Sequence, residues 1–251
     1  MTEHLHVEQR GAVRILTIDR PESRNALHGP LRSALCEAAA DADRDDEVAA
    51  VVLTAVDPVF SAGVDFKRLD MIAGSTGSPM EINPASAIRA VRKPVICAIN
   101  GACISGALEI ALSCSFVIAS ERARFADTHA MLGVVPTWGL TALLPRAVGV
   151  RAARQMSVTG AFIDAETALR LGLVNHVVPH EHLLPFTLEL VGRIPPTPVV
   201  GEMLGLYARG EEMSPAGALA AETSHSLGRS YDLDAFTAAG SATAARQRGT
   251  A

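Results

Sequence analysis

Apolar positions along the chain fall into short β-branched runs separated by stretches with helical spacing. The run "AVRILTID" (12–19) predicts a strand. "RPESRNAL" then turns, with Pro21 and Asn25 as breakers, into "LRSALCEAAADAD", where Leu31, Leu35 and Ala38/Ala39 recur at helical spacing. "VAAVVLTAV" (48–56) is nearly all apolar, the pattern of a strand covered on both faces. "FSAGVDFKRLD" turns at its glycine and enters a helix at Asp65, and residues 71–84, rich in Gly, Ser and Pro, predict a mobile surface loop. "AIRAVRKPVICAIN" predicts a helix and then a strand starting near Pro94, "GALEIALSC" a short helix, and "SFVIAS" another buried strand. "LTALLPRAVG", "RAARQMSVTG" and "DAETALRLG" predict three successive helices, the last stopped by Gly172. "LVNHVV" (173–178) predicts the final strand, and the chain beyond Pro179 reads as helical.

Alternating strands and helices argue for α/β layers. Strands cease near residue 191, so the expected division is a core over 1–190 and a helical region over 191–251. No segment repeats. The alternation alone fits a doubly wound sheet, but no glycine turn carries a G-x-G-x-x-G or Walker pattern, which argues against a nucleotide-phosphate loop.

Composition narrows the function classes. A net charge of −5 without a dense Lys/Arg run, and aromatics at only 4%, give no footprint for nucleic acid. Cys36, Cys97, Cys103 and Cys114 form no C-x-x-C pair and no metal-ligand spacing, so buried free thiols and no metal site are expected. The start, "MTEHLHVEQR", lacks the apolar core of a signal peptide. No apolar run approaches the roughly 20 residues that span a bilayer. A cytoplasmic protein with no membrane partner is the expectation.

Two positions ask for a chemical explanation. Glu109 sits among small and aliphatic residues in "GALEIALSC", and His129 follows it by twenty residues in "FADTHAMLG". A carboxylate in the first helical turn favours the helix dipole, and a polar residue before "AMLGVVP" can cap a turn. Those are the plain readings.

Five segments change them: "IDRPESRNAL", "FSAGVDF", "KPVICAINGACISGALEIALSCSFVIAS", "LGVVPTWGLTALLPRAVG" and "GLVNHVV". In this order they resemble the enoyl-CoA hydratase/isomerase (crotonase) superfamily over nearly the whole chain. The family's R-P-x-x-x-N-A-L segment, F-x-A-G-x-D turn and G-G-x-x-E block are all recognisable. The resemblance implies a spiral of β-β-α units followed by C-terminal helices that make trimer contacts, giving a homotrimer or dimer of trimers. It implies an acyl-CoA thioester as substrate, with coenzyme A part of that substrate and no separate cofactor.

The implied reaction is addition of water to a 2-enoyl-CoA, giving the 3-hydroxyacyl-CoA of fatty acid or related acyl-CoA metabolism. An isomerase, an acyl-CoA hydrolase or a decayed acyl-CoA-binding protein are the alternatives on the same scaffold. An enolate-like thioester needs preorganised donors, which the family match assigns to the amides of Ala62 and Gly106, the latter at a helix start. Glu109 takes the place of one acid/base carboxylate. The family's second Glu falls at His129, whose imidazole also exchanges protons near neutral pH. If "FADTHA" is extended, Asp127 lies on the same side as His129 and orients it. Substrate contacts are implied for Arg24, Ala26, Gly63, Val64, Asp65 and Trp138, with Lys67 and Arg68 further cations for the CoA phosphates. Trp138 either narrows the acyl pocket or packs in the core. The glycine-rich loop is thinned to Ser105-Gly106-Ala107, and Leu140 and Ser115 also depart from the family pattern.

Overall fold

The computed structural model describes residues 3–66 and 82–230. Contacts divide the chain into Met1–Leu204 and Gly205–Ala251. In the first unit the elements run β1 (Leu5–Arg10), β2 (Val13–Ile18), α1 (Gly29–Arg44), β3 (Ala50–Ala55), α2 (Pro84–Arg89), β4 (Val95–Ile99), β5 (Ala102–Ile104) and α3 (Gly106–Leu112). They continue through β6 (Phe116–Ser120), β7 (Arg124–Ala126), α4 (Leu140–Val148), α5 (Val150–Thr159), β8 (Ile163–Asp164), α6 (Ala165–Leu171), β9 (His176–Val178) and α7 (Leu183–Val191). Helix α8 (Pro198–Gly210) crosses the division, and α9 (Pro215–Leu227) lies in the second unit. The expected division at 190/191 falls earlier, at the end of α7, whose Leu183 and Val191 are buried against the sheet.

A six-stranded sheet has the order β1-β2-β3-β4-β6-β9, antiparallel only between β1 and β2. A three-stranded sheet, β5-β7-β8, lies beside it in the winding of the chain. Twice the chain lays a strand in the large sheet, a short strand in the small one, and then a helical segment. Isolated bridges, Leu27 to Val64 and Ser61 to Cys103, extend the small sheet toward the N-terminus. This is the spiral of β-β-α units.

Strand periodicity explains why β3 and β4 are apolar on both faces, apart from Thr54, whose hydroxyl donates to the Ala98 carbonyl. Val51, Leu53, Cys97 and Ile99 face the cluster shared with α1, α3 and α4. Val52, Ile96 and Ala98 face the opposite cluster, closed by α7. β1, β5, β7 and β8 are additional to the strands read from the sequence. β5, β7 and β8 hold only two or three residues each, too few to show a period, and β1, though six residues long, buries fully only Leu5. The helix expected after Asp65, apart from Phe66, and loop residues 71–81 lie outside the described residues, as do Lys67 and Arg68. Among the described residues no helix is long and apolar enough to cross a membrane, and no His/Cys/Asp/Glu group could hold a metal ion.

Candidate active site

The "FSAGVD" turn is built from behind. Asn25, wholly buried with φ 54°, donates to the carbonyls of Val56 (2.9 Å) and Val59 (2.7 Å) and accepts from the Arg20 N–H (2.7 Å). Arg20 donates to the Ala26 carbonyl (3.1 Å) and to Asp65 Oδ2 (2.7 Å), with side-chain exposures of 4% for Arg20 and 9% for Asp65. Such a buried pair is costly to break because one charge is left uncompensated. Arg20→Met is therefore expected to lower unfolding free energy by about 3–5 kcal/mol, read from urea denaturation. A loss under 1 kcal/mol would remove the pair from the frame.

The frame engages one expected donor. Asp65 spends its carboxylate on Arg20, and Ala26 is buried with its carbonyl engaged, so both shape the turn from inside. The Ala62 N–H donates to the Arg24 carbonyl at 3.0 Å and is not open to a ligand. Among the described residues neither the Val64 N–H nor the Gly106 N–H donates to a protein acceptor, so these two amides are the open ones. The two turns abut, since a Cβ built on Gly63 (φ 85°) would lie 2.7 Å from the Ile104 oxygen and 3.3 Å from the Gly106 nitrogen. Only glycine fits there. Gly106 is confined likewise, its absent Cβ facing the Trp138 ring at 3.1 Å and Val64 Cγ2 at 3.2 Å.

Glu109 is buried on α3, three residues past Gly106. Its Oε1 accepts the amides of Trp138 (2.7 Å) and Leu140 (3.2 Å), leaving Oε2 to face His129 Nε2 at 3.7 Å. On its other side the His129 ring meets Asp127, with Nδ1 and Oδ1 2.6 Å apart. That contact fixes the proton on Nδ1 and turns Nε2 toward Glu109. Burial raises the Glu109 carboxyl above its ordinary value, against the pull of the two amides and His129. Burial pushes Asp127 the same way, but hydrogen bonds from His129 and Ser157 overcome it and hold that carboxyl low.

Asp127 and His129 meet by a route other than an extended strand. β7 ends at Ala126, and His129 has helical φ and ψ (−56°, −47°). The chain curls so that Asp127 Oδ1 also accepts the His129 backbone N–H at 3.1 Å, a local side-chain turn. Trp138 is buried with the Arg32 guanidinium 5.8 Å from its ring centroid, and its six-membered ring abuts Gly106. Arg24 is exposed, with its backbone in a left-handed conformation (φ 54°).

The structure thus gathers Gly63, Val64, Gly106, Glu109, His129 and Trp138, engages the Ala62 amide within the chain, and places Ala26 and Asp65 against Arg20 in the frame of the turn. Arg20, Asn25, Ser105 and Thr128 were not singled out by sequence as site-builders. A signal for the first two was available, since Arg20 and Asn25 both lie in the "IDRPESRNAL" segment that carries part of the resemblance.

The sequence profile of the family described as "Enoyl-CoA hydratase/isomerase" matches residues 8–201. The chain is similar to "Probable enoyl-CoA hydratase 1, peroxisomal" of Arabidopsis thaliana, 36% identical over 74% of this chain and 71% of that one. It is 36% identical to "Short-chain-enoyl-CoA hydratase" of Clostridium acetobutylicum, over 75% and 74% of the two chains. The solved enoyl-CoA hydratase of Mycobacterium tuberculosis H37Rv superposes with a TM-score of 0.74 at 44% identity, covering 86% of this chain and 95% of that one.

Proposed function

Because the chain belongs to the enoyl-CoA hydratase/isomerase family, we propose that it hydrates a 2-enoyl-CoA to the 3-hydroxyacyl-CoA. The observation that carries this reading is the buried Glu109–His129 pair, 3.7 Å apart, beside the unengaged Val64 and Gly106 amides. Ionised Glu109 takes a proton from water as its oxygen attacks C3. The electron pair passes to the thioester oxygen, where the two N–H groups stabilise the enolate. Protonated His129 gives its Nε2 proton to C2, with Asp127 balancing the ring's charge. Transfer from Glu109 to His129 restores both. No separate cofactor enters the scheme; coenzyme A arrives as part of the substrate.

A hydrolytic reading has one specific support, the Asp127–His129 contact, which suits an imidazole that activates water against the thioester carbon. Incubating the protein with crotonyl-CoA and identifying the product separates the two. Hydration yields 3-hydroxybutyryl-CoA with the thioester intact, whereas hydrolysis releases free coenzyme A. A homotrimer or dimer of trimers and a cytoplasmic location complete the proposal. Sedimentation analysis tests the first, and a monomer in solution would remove it.

A further inference from the structure

Ser105 stands at the junction of the three functional segments. Its backbone, φ 49° and ψ −108°, lies in a region that non-glycine residues adopt only when their surroundings impose it. The peptide between Ser105 and Gly106 is planar, so ψ at Ser105 sets where the Gly106 N–H points. Its carbonyl accepts the Glu109 amide at 3.0 Å, and its N–H donates to the Ala126 carbonyl at 2.9 Å, extending the β5–β7 ladder by one residue.

The hydroxyl is used unusually. A serine before a helix ordinarily bonds an amide of the first turn, but the Ser105 side chain makes no such cap. It accepts the Thr128 N–H at 2.9 Å and pairs with Thr128 Oγ1 at 2.8 Å. Thr128 lies between Asp127 and His129, so these bonds dock their turn onto the start of α3.

We propose that Ser105 is a positioning residue whose strained backbone aims the Gly106 amide and whose hydroxyl fixes the turn carrying His129. Glycine at this position would reach the same φ and ψ without strain and leave them as easily. Serine is held there by four hydrogen-bonded links. The role rests on the hydration reading for its effect on turnover. Its effect on the amide does not depend on that reading.

The test compares Ser105→Gly, Ser105→Ala and Thr128→Val with the unaltered protein. Three quantities are read: kcat and KM for crotonyl-CoA, thermal midpoint, and the absorbance of bound acetoacetyl-CoA enolate, which reports the oxyanion donors without turnover. Ser105→Gly should melt no lower than Ser105→Ala, since glycine relieves the strain. Its kcat should still fall by about tenfold or more, because small misplacements of reacting groups are costly. KM should change little and the enolate band should weaken. Thr128→Val should lose kcat but keep the band, because only the His129 turn is loosened. A Ser105→Gly protein with kcat within about twofold of the unaltered one and a full enolate band overturns the assignment. If the unaltered protein hydrates nothing while Ser105→Gly weakens the band, the hydration reading falls and the aiming role stands.

Discussion

Glu109→Gln is expected to lower kcat for crotonyl-CoA hydration by about 10²–10⁴, the scale of general acid–base catalysis. Glutamine keeps an acceptor for the Trp138 and Leu140 amides and removes only the titrating group. The rate should rise with pH through the Glu109 ionisation, and burial sets that limb above the ordinary value of 4.5. The limb should vanish in the variant. Stability moves the other way. A carboxyl raised on folding binds its proton more tightly in the native state, so stability falls as pH climbs from the unfolded to the folded value. Glu109→Gln escapes this and should melt no lower than the unaltered protein at pH 7. Unchanged turnover would make Glu109 a buried helix charge and nothing more.

The second large effect concerns His129. His129→Gln should lose turnover on a similar scale, roughly 10²–10⁴, with KM little altered. The direct exchange His129→Glu, which would match the family's two-carboxylate pattern, is expected to fail on its own. It sets a third carboxylate between Asp127 and Glu109, where like charges resist ionisation together. Neutralising the neighbour should rescue it, so Asp127→Asn/His129→Glu is expected to exceed His129→Glu in kcat by tenfold or more, on the order of one relieved charge pair. Equal activity in the two would mean that Asp127 does not govern the site's charge. Asp127 also contributes to stability on its own. Its carboxyl is held below 3.8, so that contribution is present above this value and lost as pH falls through the folded value.

Where side-chain pattern governs, the sequence was readable. β3 and β4 are apolar on alternate residues of both faces because helices cover both, and that run survives in one dimension. α6 stops at Gly172 because that residue takes the left-handed conformation its cap requires. β5 and β7 were hidden because three residues carry no period. Backbone direction is likewise invisible. The A-G-x-D motif located the turn, but whether the Ala62 or the Val64 amide is open depends on which one the Arg24 carbonyl takes. His129 was legible as a departure at a known spacing. Its partnership with Asp127 was anticipated for a different reason, since strand alternation would require an extended backbone that His129 does not have. The Arg20–Asp65 pair joins residues far apart in sequence, and only the folded chain reveals it.

The most direct test follows the unaltered protein with crotonyl-CoA, recording the loss of conjugated enoyl-thioester absorbance while assaying free thiol and identifying the product by mass. If the protein is a hydratase, absorbance falls, one water is added, and no coenzyme A is released. Free coenzyme A appearing in step with crotonate, or enoyl absorbance that persists at high protein concentration, would contradict the hydration reading.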